Sequence, residues 1–294
     1  MELANRSGTD LAAWIETIIK NFVRKSPENS LKNVENEKAW GEPIVGFSKG
    51  DDAIYEFLKR DIGDFYWLPM EIISKTFPKL KTTPAQLTVI SWVLPHTSST
   101  KIDNARQTRY PSERWIRARF YGERFNSLLR RKLVNNLTES GFEAVAPMLS
   151  PFWGGKYSKR YGLASTWSER HAAYTSGLGT FGLCDGLITP KGKAVRCGSI
   201  VANIEIPPTK RPYDDHHEYC LFLSKGLCGE CILRCPVGAI SNAGHDKERC
   251  LKHIRRIRKK VRSSLGFKRG GCGLCQTKVP CDSKIPTDNN LKQE

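Results

Sequence analysis

The feature that most constrains this chain is its cysteines. Eight of the ten lie between residues 220 and 281 of a 294-residue sequence. "CLFLSKGLCGECILRCPVGAI" carries Cys220, Cys228, Cys231 and Cys235, with Pro236 directly after the last. Cys250 follows, then Cys272 and Cys275 in "GCGLC", then Cys281 in "VPC". A cubane [4Fe-4S] cluster takes four thiolates, and a Cys-x-x-Cys loop lets two of them reach neighbouring irons of one cube. In two-cluster modules the cysteine before proline serves the other cluster, because the chain turns away there. This rule divides the eight into two sets. Cys228 and Cys231 join Cys220 and Cys281 at one cluster, while Cys235 crosses to join Cys250, Cys272 and Cys275 at the other.

Two positions depart from the usual run. Lys225 stands where the first cysteine is expected, so an insertion after Cys220 has to restore the count. Five residues separate Cys281 from Cys275 where three are common, and Pro280 precedes it. A four-thiolate zinc ribbon built from the two Cys-x-x-Cys pairs competes with this reading. It leaves Cys220, Cys235, Cys250 and Cys281 without a purpose. Cys184 and Cys197 remain over in either case and are expected to be ordinary buried thiols.

The segment "MELANRSGTD" lacks the basic patch and apolar core of a signal peptide, and no apolar run approaches the roughly 20 residues of a membrane helix. The expectation is a cytoplasmic protein with no membrane segment, where clustered cysteines bind metal or do redox chemistry more often than they form disulfides. Lysine and arginine number 47 against 30 acidic residues, a net charge of +17 that attracts polyanions. The excess peaks in "KERCLKHIRRIRKKVRSSLGFKRGG", expected to be a helix and a glycine turn. Residues 249–269 then dock either RNA or another polyanion, or an acidic electron donor, or they form a solvated face that offsets cluster charge.

The front of the chain reads as mixed helix and strand. "LAAWIETIIKNFV" has helical periodicity, with Thr9 and Asp10 as caps; "DDAIYEFLKR" and "LPMEIISKTF" are short helices; residues 111–139 are one long amphipathic helix. "QLTVISWVLP" and "FEAVAP" are strands. Gly177, Gly179 and Gly182 in "TSGLGTFGLCDG" have the G-x-G-x-x-G spacing of a dinucleotide turn, but that turn needs a strand before it and a helix after. Here a helix, "TWSERHAAYTS" with Ser165 and Thr166 as caps, runs into Gly177, and "LITPKGKAVRCGSIVANIEI" reads as a β-hairpin around Pro190, Lys191 and Gly192. Glu205 lies where a ribose-binding acid falls in that motif, about 20 residues on. Either Gly177 ends a helix in the left-handed conformation, or the glycines let the backbone approach some other flat or phosphorylated cofactor.

"ERHAAYTSGLGTFGLCDGLIT" followed by a double cysteine array resembles the epoxyqueuosine reductases and the related reductive dehalogenases, and "ARFYGERFNSLLRRKL" is similar to their preceding helix. The resemblance spans roughly residues 85 to 281. It implies an α+β chain, with an α/β corrinoid and substrate domain of nitroreductase-like fold over residues 1–206 and a two-cluster ferredoxin-like domain over 207–294. It implies two [4Fe-4S] clusters and a cobalamin, which the clusters reduce to Co(I) for reductive cleavage of an unidentified substrate. Gly177, Gly179 and Gly182 line the corrinoid tail, and a low-potential carrier such as ferredoxin or flavodoxin supplies the electrons. Glu169 takes the place of the family's acid and is the expected proton donor, with Tyr110, Tyr121, Tyr157 and Tyr161 in reserve; a capping or solvent-facing role for Glu169 is the alternative. The sequence departs from the family where Phe125 and Asn126 replace a Tyr-His pair and where no helical-repeat domain follows the cysteines, both of which weaken tRNA as the substrate. The twin-arginine signal of respiratory dehalogenases is also absent. The alternative function is a ferredoxin-type protein that passes electrons to a partner.

Overall fold

The computed structural model describes residues 7–288. Helix α1 (Gly8–Lys25) buries Leu11, Ile15, Ile19 and Val23, a stripe repeating every four residues, and Ser7 caps it by accepting from the Asp10 N–H. The cap therefore lies two residues before Thr9 and three before Asp10, and Asp10 supplies first-turn negative charge instead. Strands β1 (Ile44–Lys49) and β2 (Leu87–Pro95) pair antiparallel, and every residue of β2 is buried. Ile90, Trp92 and Leu94 face α1 and α2 (Glu123–Glu139), while Leu87 and Val89 face Tyr55, Trp67 and Trp167. A strand covered on both faces has no polar alternation, which is why "QLTVISWVLP" is apolar throughout.

The expected helix over 111–139 is interrupted. Glu113–Arg117 is helical, Ala118–Gly122 forms one wider π turn, and only then does α2 begin. The Trp40 indole N–H donates to the Gly122 carbonyl at 3.0 Å, and a Cβ on Gly122 would stand 2.5 Å from the Trp40 ring. The indole thus packs directly on the backbone where the wider turn ends, an approach that only glycine allows. Beyond it Phe125, Leu129, Leu133 and Leu137 pack against α1. Each buried leucine or phenylalanine of that seam contributes roughly 1.5–3 kcal/mol of burial.

Strand β3 (Ala144–Val145) and strand β4 (Val195–Asn203) complete the sheet in the order β1-β2-β4-β3, with all pairs antiparallel. Helix α3 (Glu169–Thr175) lies across it, capped by Ser168 rather than Ser165 or Thr166. Gly177 ends it at φ +79°, and the Leu178 N–H returns to the Ala173 carbonyl at 3.0 Å. The hairpin expected around Pro190 is paired differently. Leu187–Ile188 turns back onto Thr180–Phe181, β4 joins β2 and β3, and only Thr189 and Gly192 bridge the intended turn. The reason lies in the cysteine region: the Lys193 N–H donates to the Cys281 carbonyl at 2.8 Å and the Ala194 N–H to that of Asp282 at 3.1 Å. A Cβ on Gly192 would sit 2.2 Å from the Asp282 carbonyl oxygen, so the approach requires glycine.

The C-terminal region consists of short turns and one long helix, α4 (Lys247–Leu265), closed by left-handed Gly266. His253, Ile257 and Val261 form its buried face, packed with Ile116 and Phe267. Arg234 stitches front and rear together by donating to the carbonyls of Asn104, Gln107, Leu274 and Thr277. The boundary expected at residue 206 falls in the irregular segment after β4. Among the described residues no helix is long and apolar enough to cross a membrane.

Candidate functional site

Cys220, Cys228, Cys231 and Cys281 line one small cavity, of about 20 Å³, together with Lys193 and Gly182. The insertion after Cys220 is a single helical turn, Leu221–Lys225, ended by Gly226 at φ +70°. The Leu227 N–H then bonds the Leu221 carbonyl and returns the chain to Cys228. Lys225 points away and pairs with Asp288 at 2.9 Å. At the other end a turn, Asp282 N–H to Val279 carbonyl at 3.0 Å, and left-handed Lys278 take up the extra residues before Cys281.

Cys235 and Cys275 pack against the buried Cys220, Cys231 and Cys281, whereas Cys272 packs against Ile116, Ile257 and Phe267. Cys250 lies in the first turn of α4, and Cys272 has Cys250, Cys235 and Cys275 as electrostatic neighbours. The Cys235 sulfur accepts the Ala239 N–H at 3.1 Å. Burial pushes the Cys272 thiol up to about 11, against the Leu274 N–H that favours the thiolate. Burial also pushes Cys281 up to about 11, against Lys193. Among the described residues no three His, Cys, Asp or Glu side chains converge tightly enough to share one ion. A cube presents separate irons to its thiolates, so each set has to stand open rather than close on one centre. Clustered thiols, a backbone N–H aimed at the Cys235 sulfur and a buried cation beside them are the kind of donors that [4Fe-4S] clusters take.

That cation was not foreseen. Lys193 is 3% exposed, and its ammonium lies 3.4 Å from the Cys184 sulfur. Burial alone would discharge it, but the Cys184, Cys281, Cys231 and Cys275 thiols around it hold it charged well above the usual range. Cys184 shares a buried cluster with Cys220, Cys231 and Cys281, and the neighbouring Cys231 and Cys275 thiols hold it well below the usual thiol range. "PKGKAVR" reads as a solvated turn, and a contact between residue 193 and residues 231 to 281 leaves no trace in local spacing. Cys197 does behave as core, with burial raising it to about 12.

Glu169 begins α3, but it neither caps nor faces solvent. Its Oε1 accepts from Arg130 Nη2 at 3.0 Å and Nε at 3.1 Å, and the Ser199 hydroxyl donates to Oε2. Arg130, 1% exposed, also meets Glu123 at 3.4 Å. Burial raises Glu169 from 4.5 to about 6, with Arg130 and Ser199 opposing. Asn126 is buried between the Trp92 indole and the Cys197 carbonyl, and Phe125 stacks on Phe22. The reserve tyrosines are dispersed. Tyr110 stacks on His253, Tyr121 meets Phe267 edge-on, Tyr157 is 66% exposed, and Tyr161 donates to Asp61 at 2.6 Å.

The three glycines are closed in by the chain itself. A Cβ on Gly179 would lie 2.1 Å from the Ile188 carbonyl oxygen, one on Gly177 3.1 Å from that of Lys210, and one on Gly182 3.2 Å from the Ile188 side chain. No helix starts at Gly182, where a hairpin turn follows instead. These faces do not form a cradle that a corrinoid or a dinucleotide would fill, so no step is derived through such a group lying on them.

No protein-family model matches the chain, and no curated protein matches it. Among solved structures it is similar to an epoxyqueuosine reductase from Bacillus subtilis, at 20% identity and a TM-score of 0.45, over 85% of this chain and 64% of that one. An epoxyqueuosine reductase with a modified tRNA-Tyr stem loop matches at 18% and 0.49, over 98% and 70%. A catabolic reductive dehalogenase in complex with 3-bromo-4-hydroxybenzoic acid matches at 14% and 0.48, over 95% and 38%. The chain thus spans less than two thirds of the length of the first of these.

Proposed function

We propose that this chain is an iron–sulfur reductase, epoxyqueuosine reductase-like, whose rear half carries two [4Fe-4S] clusters that pass single electrons toward the front half. The observation that supports the reading is that Cys220, Cys228, Cys231 and Cys281 line one cavity with the buried Lys193, with Cys235 and Cys275 packed against the same cluster. When bound, such clusters supply one-electron chemistry at low potential. The chain's own residues do the rest. Lys193 offsets thiolate charge, the Ala239 N–H polarises the Cys235 sulfur, and Arg234 fixes the second set against residues 104–107. The sequence resemblance implies cobalamin as the acceptor; because the glycine faces are packed, the proposal rests on the thiols and treats corrinoid binding as a separate measurement.

A second reading, an electron carrier serving a partner, is favoured by α4. Its outer face presents Arg255, Arg256, Arg258, Lys259, Lys260 and Arg262, and its first turn holds Cys250, so an acidic carrier or an RNA docked there would lie beside one cluster. Anaerobic reconstitution should give about eight irons and eight sulfides per chain. One zinc without sulfide overturns the proposal. Stoichiometric uptake of cob(II)alamin and its reduction through the clusters selects the reductase; cluster signals alone, with electrons passing to a partner, select the carrier.

A further inference from the structure

We propose that the groove between residues 107–116 and α4 is a binding site for a small planar ring carrying one phosphate monoester. The groove encloses about 470 Å³, within the size range of small-molecule sites, and it lies on the seam between the front of the chain and the cysteine region. Among the described residues no cysteine lines it, so the site stands apart from the cluster reading. Its wall is preformed. The Ser112 N–H donates to Asn104 Oδ1 at 3.0 Å, Asn104 Nδ2 donates to Thr277 Oγ1 at 3.1 Å, and Arg234 holds the Gln107 carbonyl at 3.0 Å.

The lining divides by chemistry. Ile116, Ile257 and Val261 are buried and make an apolar floor, and Tyr110, stacked on the buried His253 with 6.1 Å between ring centres, makes an aromatic wall. The rim is cationic. Lys260 Nζ stands 4.2 Å from the centre of the Tyr110 ring and the Arg109 guanidinium carbon 5.6 Å from it, and both side chains are exposed. Among the described residues neither cation pairs with a carboxylate. The acid of the lining, Glu113, is already held by Arg117 at 2.6 Å. A ring face is a weaker partner for a cation than a charged oxygen is. Two cations without a carboxylate therefore call for about two negative charges, which a phosphate monoester supplies near neutral pH and a single carboxylate does not. The floor and the Tyr110 wall call for a flat apolar body attached to that phosphate.

The test is isothermal titration calorimetry of the full chain with naphthyl phosphate, naphthol and inorganic phosphate. Naphthyl phosphate should bind one molecule per chain, and the other two, each lacking one half of the chemistry, should bind at least about tenfold more weakly. Arg109→Gln combined with Lys260→Gln should weaken naphthyl phosphate by about tenfold and leave naphthol unchanged. Ser264→Trp places an indole in the groove from an exposed position whose hydroxyl bonds the Lys260 carbonyl at 3.0 Å, and it should abolish binding. All three positions lie on the surface, and an unchanged circular dichroism spectrum and melting temperature show that each variant is folded. Naphthol binding as tightly as naphthyl phosphate overturns the proposal, as does inorganic phosphate binding as tightly. So does wild-type affinity in folded Ser264→Trp, which places the ligand elsewhere. No binding of naphthyl phosphate up to about 1 mM overturns it as well. Should single-stranded RNA bind, weakened by Ser264→Trp, where naphthyl phosphate does not, the groove belongs to a nucleic acid strand and the proposal fails.

Discussion

Replacing Glu169 with glutamine asks whether the buried carboxyl is held mainly by burial or by Arg130. Both oxygens are engaged, Oε1 by Arg130 and Oε2 by the Ser199 hydroxyl, and the side chain is 11% exposed. Burial is the larger influence and lifts the carboxyl from 4.5 to about 6. The native state then holds this proton more tightly than the unfolded chain does. Between pH 4.5 and about 6 it binds more protons, so its stability falls as pH rises through that window. At about 1.4 kcal/mol per tenfold change in proton affinity, the loss is about 2 kcal/mol. Glutamine cannot ionise and escapes the loss. Urea unfolding of wild type and Glu169→Gln at about pH 4 and about pH 7.5 should therefore show the variant gaining about 2 kcal/mol on wild type at the higher pH. A difference independent of pH refutes the reasoning. A difference of opposite sign means that Arg130 outweighs burial, and a carboxylate locked in that ion pair is no proton donor near neutrality.

Gly192→Ala should detach the Cys281 segment from β4, since it places a methyl group 2.2 Å from the Asp282 carbonyl at φ +76°. The expected result is a loss of about 1–2 kcal/mol from the backbone conformation alone, with iron uptake falling toward half. Full iron with wild-type urea stability would count against that contact. Replacing Arg255, Arg256 and Lys259 with glutamine should flatten the slope of log affinity against log salt for a single-stranded RNA by about 2. An unchanged slope means that RNA does not lie on α4.

Local pattern and long-range closure were not equally legible in the sequence. The four-residue stripe of α1, the doubly buried β2 and the basic α4 follow from periodicity, and they stand within a few residues of expectation. Counting puts Cys228 and Cys231 with Cys220 and Cys281, and these four line one cavity, with the chain between Cys220 and Cys228 looped out at Gly226, φ +70°. The interrupted helix did not follow, and the indole packed on Gly122, where the wider turn ends, comes from 82 residues away. The partner of β4 was misread for the same reason. "TPKGKA" is an ordinary hairpin turn until the 281–282 carbonyls compete for its N–H groups.

The glycine spacing shows how a motif can be real and its usual meaning absent. Gly177 satisfies a helix C-terminus at φ +79°, Gly179 a backbone approach to Ile188, and Gly182 the entry to the turn that carries Cys184. Three separate steric demands, five residues apart at most, reproduce the fingerprint without a phosphate. What they have in common is direction. Each lets the chain leave α3 and press the 182–186 turn into the cysteine region, where Cys184 packs with Cys220, Cys231 and Cys281, Lys193 meets its sulfur and Asp185 meets His245. A side chain at Gly179 would displace that turn before it affected any cofactor, so its first consequence would fall on the packing of the cysteine region.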